Sequence, residues 1–211
     1  MTLAAWPAAA LVALITGALA GVAYWRIAGR DDTSWTRSGV KTTSTAALEL
    51  AGALTGAPGA ITAGLPAGSL GDLALSRPGP RAFLAGMGAF AVGHLAYLWH
   101  FVALWTAPTP PWAAMLGMVV LALSTEIWLA PRTGELRWPV RAYVVIIAAM
   151  AIAAMGLPGN QRLTQAGAGL FVLSDLLLAL HLFVAPRRWL ALALWPAYWL
   201  GQALILTGSL A

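Results

Sequence analysis

The sequence predicts an all-α polytopic membrane bundle of eight transmembrane helices, and three observations predict it. Of its 211 residues 60% are hydrophobic and only 9% charged, with a mean hydropathy of +0.79, a composition that needs lipid as its solvent. The apolar runs are long and unbroken. Membrane strands would alternate polar and apolar residues, and backbone amides in hydrocarbon must be satisfied within a segment or in a closed barrel, so these runs favour helices. Finally, the basic residues fall almost entirely in alternate connections, as the positive-inside rule requires of an even series of crossings.

In chain order the apolar stretches cover residues 3–24, 42–54, 61–76, 83–104, 112–130, 140–157, 163–184 and 189–207, each placed as one helix of a single transmembrane domain over 1–211. The first has no basic residue ahead of it and Arg26 and Arg30 behind it, so it counts as a helix and not as a cleaved leader. The breaks carry turn chemistry, among them Gly56-Ala57-Pro58-Gly59, Arg77-Pro78-Gly79-Pro80, Pro108-Thr109-Pro110-Pro111, Pro131-Arg132-Thr133-Gly134, Pro158-Gly159-Asn160 and Pro186-Arg187-Arg188. Connections this short make neighbouring helices antiparallel. The odd-numbered connections then collect Arg26, Arg30, Arg37, Lys41, Arg77, Arg81, Arg132, Arg137, Arg141, Arg187 and Arg188, and the other side only Arg162. The Arg-rich side is therefore read as cytoplasmic, with both termini outside and a bacterial-type inner or plasma membrane as the location. Most tryptophans, Trp6, Trp25, Trp99 and Trp138 among them, fall near helix ends and read as interfacial belts.

Composition also excludes. With no cysteine there is no disulfide framework, thiolate nucleophile or sulfur-bound metal. The net charge of +5 is scattered over short loops and forms no patch for nucleic acid. The helices lack His-x-x-x-His and Glu-x-x-His spacing, so neither a metal nor another cofactor is called. Ala67-Gly68-Ser69-Leu70-Gly71 approximates a nucleophile elbow, but an elbow needs a strand-to-helix turn and this segment lies in a helix.

Of the seven acidic residues, Asp31, Asp32 and Glu135 lie in loops, whereas Glu49, Asp72, Glu126 and Asp175 lie within helices. A charged side chain at the helix centre costs roughly 2.5–3.5 kcal/mol on insertion, so intramembrane acids face a partner or cavity and mark function by default. At about 1.5 Å per residue, Asp72 lies roughly 7 Å in from Arg77, and Asp175 and Glu49 roughly 12 Å or more from the cytoplasmic ends of their helices. Glu126 is close enough to Arg132 to reach the interface. Asp72 follows Pro66, Gly68, Ser69 and Gly71, and Asp175 follows Gly167, Gly169 and Ser174; small residues let helices approach closely or leave a cavity. The expectation is that Asp72 and Asp175 meet in one pocket. Leu70-Gly71-Asp72-Leu73-Ala74-Leu75 and Leu173-Ser174-Asp175-Leu176-Leu177-Leu178 are also compatible with a 4+4 parallel repeat. His94 with Tyr97, and Tyr198 with Gln202, stand one turn apart on their helices. His94 reads equally as a ligand contact or as a bond across a helix interface, while Tyr198 and Gln202 lean to the latter. His100 and His181 are placed at wet helix ends.

These residues resemble the YhhN-type lysoplasmalogenase family of integral membrane proteins. The resemblance is carried by Leu70-Gly71-Asp72, by Phe83-Leu84-Ala85-Gly86-Met87-Gly88-Ala89-Phe90 leading to Gly93-His94-Leu95-Ala96-Tyr97, by Arg141-Ala142-Tyr143, by Gly169-Leu170-Phe171-Val172-Leu173-Ser174-Asp175, and by Tyr198-Trp199-Leu200-Gly201-Gln202. Where the family usually reads Lys-Pro this chain has Lys41-Thr42, and Glu49 has no counterpart in the pattern. The resemblance implies a lysophospholipid substrate in the bilayer: hydrolysis of the vinyl ether bond of lysoplasmalogens to a fatty aldehyde and a glycerophospho-alcohol. Asp72 and Asp175 would be catalytic, with Lys41, Glu49, His94, Tyr97, Ser174, Tyr198 and Gln202 as supporting or substrate-binding candidates. Two carboxyls suit the chemistry, one giving a proton to the vinyl carbon and one stabilising the oxocarbenium ion and accepting a proton from water, as in glycosidases.

Two rival readings use the same acids. A lipid carrier or small transporter would use them for proton coupling or headgroup binding. An intramembrane aspartyl protease is suggested by Ser69-Leu70-Gly71-Asp72, near Gly-x-Gly-Asp, but the first glycine is Ser69 and Asp175 is preceded by Ser174 instead of tyrosine.

Overall fold

The structure is a computed structural model that describes residues 3–30, 33–107 and 109–211; Asp31 and Asp32, expected in a loop, and Pro108, expected in a turn, lie outside the described residues. Eight α-helices follow one another among those residues: α1 (Ala8–Trp25), α2 (Trp35–Leu54), α3 (Gly59–Leu75), α4 (Pro80–Ala103), α5 (Trp112–Trp128), α6 (Arg137–Met155), α7 (Arg162–Ala179) and α8 (Arg188–Ser209). Short 3-10 turns flank several of them, and α7 runs on into a π-helical turn, Leu180–Val184. Six helical segments are long and apolar enough to cross a membrane: α1, α4, α8, and the stretches Trp112–Arg132, Gly134–Met155 and Gly159–Val184. The other two helices fall short for different reasons. α3 has only 17 residues, and α2 carries Arg37, Lys41 and Glu49.

α2 departs from expectation at its start. The apolar run begins at Thr42, but the helix begins two turns earlier, because Ser34 caps it by accepting a hydrogen bond from the Arg37 amide at 3.2 Å. Lys41, expected in a connection, is thereby inside a helix. The opposite end of α3 locks onto this start. The Arg77 guanidinium donates to the carbonyls of Thr33 (2.7 Å) and Ser34 (3.1 Å) and to the Ser38 hydroxyl, and Ser76 donates to Ser38 at 2.8 Å. Because α2 and α3 run antiparallel, a Ser38–Ser76 contact sets Lys41 opposite Asp72 one turn further in.

Consecutive helices pack side by side from α1 to α4, α4 then packs on α6, and α7 pairs with α8. α8 returns to touch α1, α2 and α3. It is the most buried span, 56% of its window against 11% for α5, which rests on α6 at the edge of the bundle. Tryptophans fasten α8 in place: Trp199 donates to the Ser44 carbonyl (3.1 Å), Trp195 to Gly21 (2.9 Å) and Trp25 to Leu192 (2.9 Å). Trp99 and Trp138 are exposed, whereas Trp6, also read as interfacial, packs in the core. A residue can stand near a chain end and still be covered by the bundle.

With lipid outside, burying apolar surface between helices gains little, and close backbone approach through small residues takes over. A Cβ on Gly93 would lie 3.1 Å from the Gly64 carbonyl, joining α4 to α3, and one on Gly167 would lie 2.7 Å from the Gly201 carbonyl and 2.8 Å from the Ile205 amide, joining α7 to α8. Neither partner can yield, since both are helix backbone. Gly169, two residues on, has open space around it. Gly167→Ala should therefore cost about 1–3 kcal/mol of stability as an overpacking change, while Gly169→Ala should be neutral or slightly stabilising. Thermal melts of the two variants in detergent check this, and equal melting temperatures would remove backbone contact as the basis of α7–α8 packing.

Candidate active site

Two hydrogen-bonded clusters lie inside the bundle, each built around one of the singled-out aspartates. In the first, Asp72 of α3 receives Lys41 Nζ of α2 on one carboxylate oxygen at 2.9 Å and the Tyr198 hydroxyl of α8 on the other, also at 2.9 Å. Asp72 is buried, and the Lys41 ammonium lies within 6 Å of the Tyr24 and Trp195 ring centres, where the ring faces add to its stabilisation. Tyr97 of α4 extends the network by donating to Gln202 Oε1 at 2.6 Å. Tyr198 and Gln202, named from the sequence as supporting candidates, thus share the cluster of Asp72.

In the second cluster, Asp175 of α7 accepts from the Tyr143 hydroxyl of α6 at 2.9 Å. The same hydroxyl lies 3.0 Å from His94 Nε2 of α4, and that nitrogen is 3.4 Å from the same Asp175 oxygen. His94 is fully buried, with its other ring nitrogen unpartnered, whereas the Asp175 side chain keeps 16% exposure. Asp175 and Tyr143 stand on the wall of an apolar cavity of about 110 Å³ between α4, α5, α6 and α7. The rest of that wall is almost entirely hydrocarbon, including Met87, Leu121, Ile147 and Phe183.

The two aspartates do not meet in one pocket. Asp72 is absent from the cavity wall, and the rings of Phe90 and Phe171 lie among the two groups. Phe171 meets His94 with ring centres 4.5 Å apart and Tyr198 at 5.3 Å, and Phe90 meets Tyr198 at 5.6 Å. Equal depth in two helices does not fix which way their side chains turn. Tyr143, quoted in the sequence only as part of the resemblance, is the participant not named there as a site residue. Its signal was a tyrosine inside an otherwise apolar stretch of α6, one face away from Arg141.

Other expected residues fall elsewhere. The Ser174 hydroxyl is spent on the Phe171 carbonyl of its own helix at 2.7 Å, a common fate of serine within a helix. Glu49 is half-buried on α2, two turns beyond Lys41, and belongs to neither cluster nor to the cavity wall. Glu126 turns to Arg141 of α6 and not to Arg132, in a two-pronged ion pair whose Nε contacts are 2.8 and 3.1 Å. His100 and His181 are less wet than expected, each keeping one shielded ring nitrogen without a partner.

Comparison with known proteins follows this geometry. Residues 36–209 match the model of the YhhN family. The chain is similar to a lysoplasmalogenase of Mycobacterium bovis, 30% identical over 132 residues, or 60% of this chain and 51% of that protein. It is also similar to lysoplasmalogenase TMEM86B of Sus scrofa, 35% identical over 130 residues, with 60% and 53% covered, and to lysoplasmalogenase TMEM86B of Homo sapiens, 32% identical over 131 residues, with 62% and 55% covered. The chain spans about half the length of these curated relatives. No solved structure matches.

The first cluster changes what an aspartate-to-asparagine test means. Asp72→Asn leaves the Lys41 ammonium buried without its counter-charge, and breaking a buried pair from one side costs about 3–5 kcal/mol. The variant should melt well below the wild type, and adding Lys41→Met should recover most of the loss. Thermal unfolding of the single and double variants measures this; an Asp72→Asn protein as stable as wild type would mean that Lys41 and Asp72 are not a buried ion pair.

Proposed function

The chain belongs to the YhhN family, and we propose that it is a hydrolase of the vinyl ether bond of lysoplasmalogens, releasing a fatty aldehyde and a glycerophospho-alcohol within the membrane. The observation that carries this reading is the juxtaposition of one carboxyl and one phenol, Asp175 and Tyr143, with an apolar cavity. A single-chain lipid offers a matching arrangement, a hydrocarbon chain with the acid-labile double bond at its polar end. Hydrocarbon lines the space for the chain, and the groups able to give and accept a proton stand at one wall. The names of the similar proteins support the same chemistry.

Both aspartates are required in this reading. Protonation of the vinyl carbon creates an oxocarbenium ion, water adds, and the hemiacetal collapses. Asp175 is placed to meet substrate. Asp72, ion-paired to Lys41 and bonded to Tyr198, orders the helices behind the cavity and contributes fixed charge. His94 supports Asp175, and Tyr97 with Gln202 supports Tyr198.

The same proposal includes eight crossings with both termini outside, supported by the basic residues gathered in alternate connections. It also includes a 4+4 parallel repeat. Lys41, Asp72 and His94 lie on α2, α3 and α4, and Tyr143, Asp175 and Tyr198 lie at nearly constant sequence separation from them on α6, α7 and α8. Each aspartate takes one partner from the helix before it in its own half and another from the fourth helix of the other half. A duplicated unit exchanging its last helix with its twin explains that pattern.

Purified protein in detergent should release aldehyde from a synthetic lysoplasmalogen and leave the saturated ether analogue untouched. Asp175→Asn should abolish turnover, and so should Asp72→Asn in a folded background carrying Lys41→Met. The variant combining all three changes should be hardly worse than Asp175→Asn alone, because groups that act as a unit fail together. Binding of lysoplasmalogen without cleavage would instead favour a carrier. For topology, a C-terminal reporter that works only outside the cytoplasm should be active, and activity of a cytoplasm-only reporter would overturn the orientation.

A further inference from the structure

We propose that His94, Tyr143 and Asp175 form a proton relay, in which the Tyr143 hydroxyl carries the reacting proton between the imidazole and the carboxyl, and Asp175, not Asp72, is the acid that meets the vinyl ether. This rests on the hydrolase reading above and assigns roles within it. Three features of the geometry carry it. The Tyr143 oxygen stands 2.9 Å from Asp175 and 3.0 Å from His94, both shorter than the 3.4 Å direct separation of imidazole and carboxylate. Only Asp175 and Tyr143 of these residues reach the cavity wall, while His94 lies buried behind them. The corresponding cluster holds a lysine on α2 where this one holds Tyr143 on α6. An ammonium fixes a charge on its aspartate; a phenol both donates and accepts, and so passes a proton.

One proton serves two arrangements of the relay. With an imidazolium at His94, Tyr143 donates to an Asp175 carboxylate. If the imidazolium gives its proton to the Tyr143 oxygen as the phenol gives its own to Asp175, the result is a neutral imidazole and a carboxylic acid. Neither group is then charged in the apolar surround, the state that burial favours. The acid then transfers its proton to the vinyl carbon not bonded to oxygen, forming a C–H bond and an oxocarbenium ion beside the carboxylate. Water attacks the oxygen-bearing carbon and its proton returns to Asp175. In the collapse Asp175 protonates the departing ether oxygen and takes the hemiacetal hydroxyl proton, so that aldehyde and alcohol leave and the relay is restored.

His100 of α4 and His181 in the turn after α7 also stand on elements that carry the relay, each with one ring nitrogen unpartnered, and several other groups nearby are engaged elsewhere. Glu126 is paired with Arg141, Asp72 is paired with Lys41, Tyr198 donates to Asp72, and Tyr97 donates to Gln202.

The test is steady-state aldehyde release from a synthetic lysoplasmalogen by the full chain in detergent, from about pH 5 to pH 9, for wild type, Tyr143→Phe and His94→Gln. Tyr143→Phe keeps the ring and loses the hydroxyl. Its kcat should fall about 10²-fold or more, the usual weight of a positioned proton transfer, with KM held within about twofold. His94→Gln keeps a hydrogen-bonding partner for Tyr143 but cannot carry the proton. It should retain part of the activity while the alkaline limb of its pH–rate profile moves to lower pH. Should either variant unfold, the other still decides. A folded Tyr143→Phe with wild-type kcat, or a folded His94→Gln with the wild-type pH profile, would overturn the relay while wild-type turnover left the hydrolase reading standing. Failure of the wild type itself to cleave the vinyl ether would overturn that reading instead.

Discussion

A carboxylate placed where water cannot reach it must be answered by another part of the chain, and Asp72 is answered from two directions at once. Lys41 neutralises it from α2, and Tyr198 completes it from α8. Two consecutive helices and one far along the chain therefore converge on one side chain, and α8, the last of them, is the most buried of the candidate spans. The penalty for leaving either charge alone inside the bundle far exceeds that of most packing errors, which makes this pair a point of registration between α2 and α3. The Ser38–Ser76 and Arg77 contacts one turn away set the same alignment from the end.

Around that point the bundle is held by approach and not by exclusion of water. Gly64 with Gly93, and Gly167 with Gly201, bring helix backbones into contact, while the larger side chains at positions 90 and 171 keep the two aspartate clusters distinct. The division has a chemical result. One aspartate is satisfied from both sides and withdrawn from the cavity, and the other is satisfied through a phenol and remains on its wall. α5, the least buried span, closes the opposite wall with apolar side chains and is joined to α6 by the Glu126–Arg141 pair.

Much of this was legible in the sequence. Composition and apolar runs identify eight helices, because the length of a run against lipid is a coarse quantity that side-chain detail does not disturb. The aspartates stood out because charge within hydrocarbon demands a reason. What could not be read was orientation about each helix axis. Lys41 looked like a loop residue because hydropathy ends at Thr42, whereas the helix is set by a cap at Ser34 that hydropathy does not register. Tyr143 carries no charge and so left little mark. Ser174, beside Asp175 in sequence, turned out to serve its own backbone. Adjacency along the chain is a poor guide to adjacency across a bundle, where Tyr97 meets Gln202 and Asp72 meets Tyr198 across 105 and 126 residues.

The two ion pairs share a property that bears on how the protein enters a membrane. Lys41 and Asp72 lie on α2 and α3, and Glu126 and Arg141 on α5 and α6, so each charge finds its counter-charge on the very next helix to be synthesised. Lys41 and Asp72 stand inside their helices, so each helix alone is a poor candidate for insertion, at roughly 2.5–3.5 kcal/mol for a central charge, whereas Glu126 and Arg141 lie near the ends of segments apolar enough to cross by themselves. Biogenesis would then require α2 to wait at the translocation channel for α3 before moving sideways into lipid. Asp175 follows a different order, since the helices that carry His94 and Tyr143 are both made before α7, so its partners precede it.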